Sequence, residues 1–270
     1  MGDQPTGGRR CFGCTLKVRR KMNTSNLPVI CRGSIQVLGR DERNGLIYAI
    51  DRDQDRFGIL KRRERINTRA YQYLMSHSHR HICRVYDFWK DKEGYWIFEE
   101  HVRGRNLRDL SADQRLTADE AVRIMLEVLE GLHFLHSANP AIIHRDLTLT
   151  NIMVDELGQV RIVDFGAARV YRRGLSRDTC PMGTPGYAAP EQFGFAQTDA
   201  RTDIYAAGVL MKALGLDQGK YRHAVWRATR MAPESRYRSA VAMAAEIRVL
   251  SPGLKSASGR RRPGTALFRM

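Results

Sequence analysis

Between residues 35 and 101 the apolar positions fall in short runs broken by polar turns. Ile35-Gln36-Val37-Leu38-Gly39 and Leu46-Ile47-Tyr48-Ala49-Ile50 flank the polar stretch from Arg40 to Gly45, a pattern that predicts two strands joined as a hairpin. Tyr95-Trp96-Ile97-Phe98 predicts another strand. Further on the spacing becomes helical. Val122, Met125, Leu129, Leu132 and Leu135 share one face, and Thr117 with Glu120 forms a capping box, so a helix is predicted through His136. Ile152-Met153-Val154 and Val160-Arg161-Ile162-Val163 are β-rich runs around the turn signal Asp155-Glu156-Leu157-Gly158-Gln159, which predicts a second hairpin. The stretch from Ile204 to Leu214 is apolar nearly all round, as a buried helix requires.

The second hairpin draws attention to the residues at its two ends. Asn151 stands just before the first strand and Asp164 just after the second, so closing the hairpin brings an amide oxygen and a carboxylate side by side. Both are hard ligands, suited to Mg²⁺ or Mn²⁺ and not to zinc. Asp146 opens the same loop. Together, His144-Arg145-Asp146-Leu147, Asn151 and Asp164-Phe165-Gly166 resemble a protein kinase catalytic core. More motifs follow in order: Gly183-Thr184-Pro185-Gly186-Tyr187, Ala189-Pro190-Glu191, Asp203-Ile204-Tyr205-Ala206-Ala207-Gly208 and Pro233-Glu234-Ser235-Arg236-Tyr237. The series is similar to the eukaryotic-like serine/threonine protein kinases of bacteria, over residues 35 to 250.

That resemblance implies an α+β, bilobal kinase-like fold. A small β-rich lobe is expected over residues 35–101 and a mainly helical lobe over 102–250, between a basic extension (1–34) and a basic tail (251–270), both expected to be disordered. It implies ATP-dependent transfer of the γ-phosphate to Ser/Thr hydroxyls of protein substrates, with autophosphorylation and with Mg²⁺ or Mn²⁺ as the metal. Asp146 would take the hydroxyl proton, and Asn151 and Asp164 would hold the metal. Phe57-Gly58-Ile59-Leu60-Lys61 resembles the third strand, whose lysine, here Lys61, contacts phosphate. Leu38, Gly39 and Gly45 would lie over the nucleotide, and backbone groups of Glu100 and Val102 would read the adenine edge. Glu99 then occupies a usually apolar position at the back of the pocket, where a carboxylate is costly unless paired or solvated. Arg145 resembles the arginine that receives a phosphorylated activation-loop residue, with Ser176 and Thr179 as the candidate phosphosites. Thr184 stands where the family bonds the catalytic loop with an unmodified threonine. Asp203 would bind the loop backbone, and Glu191 would pair with Arg236.

Three positions depart from the family pattern. Only Gly39 and Gly45 remain of the usual three glycines, and Asp41 and Glu42 lie between them, which weakens phosphate cradling. Ala70 falls where a helix glutamate would pair with Lys61, so Lys61 is expected to be held by another group, Asp164 being the candidate, or to be free until activation. Thr148 replaces a lysine that contacts the γ-phosphate. These departures keep open the alternative of a pseudokinase or weakly active nucleotide-binding scaffold. A small-molecule phosphotransferase of the aminoglycoside-kinase type would share the Asp and Asn, but would not be expected to carry the segment from Gly183 to Glu191.

Composition adds limits to this picture. At 270 residues and 43% hydrophobic the chain can bury a substantial core. No apolar run approaches the ~18 residues needed to span a bilayer, and the N-terminal basic residues lack an apolar signal stretch, so a cytoplasmic protein is expected. Residues 1–34 hold seven Lys/Arg against Asp3, and residues 251–270 hold five with no acid, so most of the net +16 sits on the two ends. Such ends are expected to be solvated tails that contact acidic partners, with no specific nucleic-acid recognition. Five scattered cysteines argue against a disulfide framework, and Cys11-Phe12-Gly13-Cys14 has no second pair to complete a metal site. His77, His79, His81 and Cys83 alternate at period two. Their neighbours resemble the kinase turn after the regulatory helix, so structural histidines are expected over a metal site.

Overall fold

The structure, a computed structural model, describes residues 22–23, 28, 32–42, 45–113, 116–174, 183–194 and 196–254. Cys11, Cys14, Ser176, Thr179 and most of the two basic ends lie outside the described residues.

The first part of the chain is an antiparallel sheet. Its strands are β1 (Met22–Asn23), β2 (Ile35–Asp41), β3 (Ile47–Asp51), β4 (Arg56–Arg63), β5 (Val85–Asp91) and β6 (Gly94–Glu100), in the order β1-β2-β3-β4-β6-β5. Helix α1 (Thr68–Ser76) separates β4 from β5 in sequence; in the sheet β4 pairs with β6, and β5 takes the edge. Side chains alternate across a strand, and the register sorts them into two faces. Leu60 lies opposite Ile47 and Phe98, and with Ile35, Ala49 and Trp96 it forms one small core. Ile59 lies opposite Tyr48 and Glu99, and Lys61 opposite Ile97, so these residues share the other face, where Ile97 joins Ala70, Tyr71 and Leu74 of α1 in the main core. The expected β2–β3 hairpin is present. It closes through Asp41 N–H to the Leu46 carbonyl (2.8 Å) and Gly45 N–H to the Asp41 carbonyl (2.8 Å), with Gly45 at φ 70°.

The second part is mainly helical. After β7 (Gly104–Asn106) and α2 (Leu107–Asp113) comes α3 (Ala118–His136), with its capping box in place: Glu120 N–H donates to Thr117 Oγ1 at 3.2 Å and Thr117 N–H to Glu120 Oε2 at 2.9 Å. The five apolar positions read from the helical period are all buried. Then follow β8 (Ile142–Ile143), β9 (Ile152–Asp155), β10 (Val160–Ile162), β11 (Arg169–Val170), α4 (Ala200–Ala213), α5 (Arg222–Ala228) and α6 (Ala240–Val249). β9 and β10 form the expected hairpin, with β7 beside β9, and β8 pairs with β11. Helix α4 packs against α3 and α5, and α3 against α6. α4 starts four residues earlier than the apolar run because Asp199 caps it, accepting the Arg201 N–H at 2.8 Å.

The two parts are joined by the segment after α1. Ile162 N–H donates to the His81 carbonyl (2.8 Å) and Cys83 N–H to the Ile162 carbonyl (2.9 Å), which lays this segment along β10. The histidines here pack against neighbouring groups: His77 stacks on Tyr73, His79 on Phe134, and His81 Nδ1 lies 2.9 Å from the Val160 carbonyl. Among the described residues no group of three or more His, Cys, Asp or Glu is placed to hold a metal, and no helix is long and apolar enough to cross a membrane.

Candidate active site

The loop between β8 and β9 is held from beneath by Asp203, in the first turn of α4. Its carboxylate is fully buried and accepts the N–H groups of His144 and Arg145, both at 2.9 Å, with His136 Nε2 at 2.8 Å. Burial pushes the Asp203 pKa up, but His136, His144 and the Arg145 N–H outweigh it and hold the group below the ordinary carboxylate range. His144 is itself buried and sets its ring edge against Phe165. Arg145 is buried at φ 68°, a left-handed conformation uncommon for a residue with a Cβ. Gln192 Nε2 donates to the Arg145 carbonyl at 2.7 Å and so ties this turn to the segment after Ala189.

Asp146 follows, half-buried, with both oxygens engaged. Thr184 Oγ1 donates to Oδ1 at 2.6 Å and Asn151 Nδ2 to Oδ2 at 3.1 Å. The same Asn151 amide nitrogen donates to the Asp146 carbonyl at 2.8 Å. Asn151 is thereby fixed with its N–H₂ toward Asp146, and its Oδ1 accepts no hydrogen bond from a described residue. The β9–β10 hairpin then brings the chain back: Val163 N–H donates to the Asn151 carbonyl at 2.9 Å, so Asp164 emerges beside Asn151. Asp164 is also left-handed, at φ 64°, and Gly166 N–H donates to its Oδ1 at 3.2 Å. Strained backbone of this kind concentrates at functional sites.

Two cations face Asp164. Arg63 Nη2 donates to Oδ2 at 2.5 Å, and the Arg63 side chain lies so close to Gly166 that a Cβ there would meet Nε at 2.8 Å. Lys61 acts on Asp164 through space. Burial works against the Asp164 carboxylate, but Lys61, Arg63 and the Gly166 N–H more than reverse this and keep it ionised. An ionised carboxylate beside an amide oxygen that no described residue bonds is a pair of hard oxygen ligands, which fits Mg²⁺ or Mn²⁺.

Lys61 makes its own ion pair elsewhere. Its Nζ lies 2.6 Å from Glu99 Oε1, so the partner anticipated as Asp164 is Glu99 instead, and Asp164 is taken by Arg63. Burial lowers the Lys61 pKa, but Glu99 and Asp164 outweigh it and raise the value overall. Ala70 is fully buried in α1 and offers no partner, while its neighbour Tyr71, also buried, is the α1 side chain that feels Glu99 and Asp164. Glu64 is exposed.

The last residue of β6, Glu100, is tied to two neighbouring arginines. Glu100 Oε2 accepts from Arg161 Nη1 (3.1 Å) and from the Arg84 N–H (3.2 Å), and the Glu100 N–H donates to the Arg84 carbonyl (2.8 Å). Val102 is buried, and no described residue takes its N–H or carbonyl. His101 packs edge-on to Tyr48 and Phe57. Gly39 is buried at the irregularity that displaces Leu38 from the β2–β3 register. Thr148 is buried with its hydroxyl 2.8 Å from that of Thr150, a local bond that accounts for the side chain.

Glu191 and Arg236 form a bidentate pair at 2.7 and 2.9 Å, both buried. The remaining guanidinium donors reach the carbonyls of Arg230 (2.7 Å), Arg201 (3.0 Å) and Met231 (2.9 Å), and Thr202 Oγ1 donates to Glu191 at 2.8 Å.

Residues 36–240 match the family described as protein kinase domain, and the chain belongs to that family. Among curated relatives it is similar to a probable serine/threonine-protein kinase PknB of Corynebacterium glutamicum, 39% identical over 145 residues, which is 51% of this chain and 22% of that protein. It is also similar to a probable serine/threonine-protein kinase pknA2 of Bifidobacterium longum (34% over 132 residues, 48% of this chain and 17% of that protein). A third relative, the mouse serine/threonine-protein kinase PLK2, is 27% identical over 246 residues, 86% of this chain and 35% of that protein. The matched segments thus span from 17% to 35% of these relatives' own lengths.

Sequence reasoning missed Glu99 as the partner of Lys61, Arg63 as the partner of Asp164, and Gln192 as a support of the loop. The one signal for Glu99 was its own cost: a carboxylate between Phe98 and a hinge needs a cation. The cation could be named only once β4 was known to lie against β6.

Proposed function

We propose that this chain transfers the γ-phosphoryl group of ATP to Ser/Thr hydroxyls of proteins, itself included. The observation that carries this reading is the convergence of Asp146, Asn151 and Asp164 on one loop and hairpin, in a chain of the protein kinase family. Asp146, steadied by Thr184 and Asn151, orients the substrate hydroxyl and takes its proton as the oxygen bonds to the γ-phosphorus and the bond to the β-phosphate oxygen breaks, releasing ADP. Asn151 Oδ1 and Asp164 hold the divalent cation, Mg²⁺ or Mn²⁺. When bound, it neutralises phosphate charge. Lys61 contacts the α- and β-phosphates, beneath the β2–β3 hairpin at Leu38, Gly39 and Gly45. The Glu100 carbonyl and the Val102 backbone groups receive the adenine edge. The Thr184–Asp146 bond supports Ser/Thr over Tyr acceptors. Arg145 as the acceptor of a phosphorylated Ser176 or Thr179, a cytoplasmic location, and contact of the basic ends with acidic partners belong to the same proposal and rest on the sequence alone.

Mass spectrometry of the purified chain after incubation with Mg-ATP and a general protein acceptor tests this directly. Phosphate on Ser or Thr, in the chain or the acceptor, is the expected result. Nucleotide binding without transfer to either would replace the proposal with a scaffold.

A further inference from the structure

In the family a helix glutamate pairs with the phosphate-contacting lysine, and α1 cannot supply one. Its nine residues, Thr68–Ser76, include no acid. The anion is on the sheet. β4 and β6 are hydrogen-bonded neighbours from Gly58↔Glu100 to Arg63↔Tyr95, with Lys61 opposite Ile97 and Glu99 opposite Ile59. Lys61 and Glu99 therefore sit diagonally on one face, within the reach of a long side chain. Their charged atoms meet at 2.6 Å, with side-chain exposure of 18% for Lys61 and 2% for Glu99. A carboxylate so deeply enclosed is stable only when paired, and the ammonium keeps donors beyond the one used on Glu99.

Resting on the kinase reading above, we infer that Glu99 is the positioning residue for Lys61, so that the anion steadying the phosphate-contacting lysine comes from the neighbouring strand and not from the helix. The consequence is mechanical. A carboxylate on a helix is carried away when the helix swings, whereas the backbones of Glu99 and Lys61 stay diagonal neighbours as long as the β4–β6 ladder is closed. The position of α1 therefore does not gate the lysine in this chain.

The test is a double-mutant cycle on the full chain, measuring kcat and KM for ATP for the wild type, Glu99→Gln, Lys61→Met and the double variant. Glu99→Gln is expected to lower kcat/KM by about 10- to 100-fold, the worth of a hydrogen bond between charged groups. In the Lys61→Met background the same substitution should have almost no effect, because its whole action passes through Lys61. A purely structural Glu99 would cost the same in both backgrounds, and that additivity overturns the inference, as does wild-type kinetics for Glu99→Gln. Should Glu99→Gln fail to fold, thermal unfolding of Lys61→Met and Lys61→Met/Glu99→Met decides. Recovery of the midpoint in the apolar double variant supports the pairing, and no recovery refutes it. An inactive wild type would count against the kinase reading, while the unfolding cycle would still report on the pair.

Discussion

Replacing Asp146 with asparagine is expected to slow phosphoryl transfer by about 10²–10⁴-fold, the usual worth of a positioned general base. The side chain is engaged at both oxygens, by Thr184 Oγ1 at 2.6 Å and Asn151 Nδ2 at 3.1 Å. An asparagine can still accept from Thr184 through its amide oxygen but cannot take a proton. Neither contact lies in the apolar core, so the unfolding transition should stay in place while activity falls. Initial rates with labelled ATP, read beside a thermal melt, check both halves. Retained activity would remove Asp146 from its proposed role, and a collapsed melt would make it a structural residue.

The largest expected effect on stability lies at Arg236. Its guanidinium is enclosed, pairs in two-pronged fashion with Glu191 and spends its other donors on three backbone carbonyls. Removing one partner of a buried pair leaves the other charge uncompensated, which costs roughly 3–5 kcal/mol. Arg236→Ala should lose about that much in urea denaturation. Arg236→Lys should recover only part of it, because an ammonium keeps the charge but cannot reproduce the planar fork. The damage should spread to the segment from Gly183 to Glu191, since Glu191 anchors its end and Thr184 bonds Asp146. An Arg236→Ala protein as stable as the wild type would mean that the pair contributes nothing net.

What could be read from the sequence was local. The capping box and helical period gave α3, the turn signal from Asp155 to Gln159 gave the β9–β10 hairpin, and the hairpin in turn placed Asn151 beside Asp164. Each of these depends on residues a few positions apart. The apolar pattern does not mark the start of α4, because its first turn carries Arg201 and Asp203 and its cap, Asp199, lies outside that pattern. The cationic side of the cleft was less legible still. Arg63 and Asp164 are 101 residues apart and meet only through the packing of the two parts of the molecule. The Lys61–Glu99 pair follows from β6 inserting between β4 and β5, an order that strand patterns do not specify. The left-handed backbone at Arg145 and Asp164 has no sequence signal, since neither residue is glycine.

In the proposed mechanism Asn151 and Asp164 share a divalent cation next to Asp146. Anomalous scattering from Mn²⁺ in crystals grown with a non-hydrolysable ATP analogue tests it most directly. A metal peak is expected at bonding distance, about 2.1 Å, from Asn151 Oδ1 and an Asp164 oxygen, with the terminal phosphate on the same ion. A peak that touches neither side chain, with nucleotide bound, would contradict it.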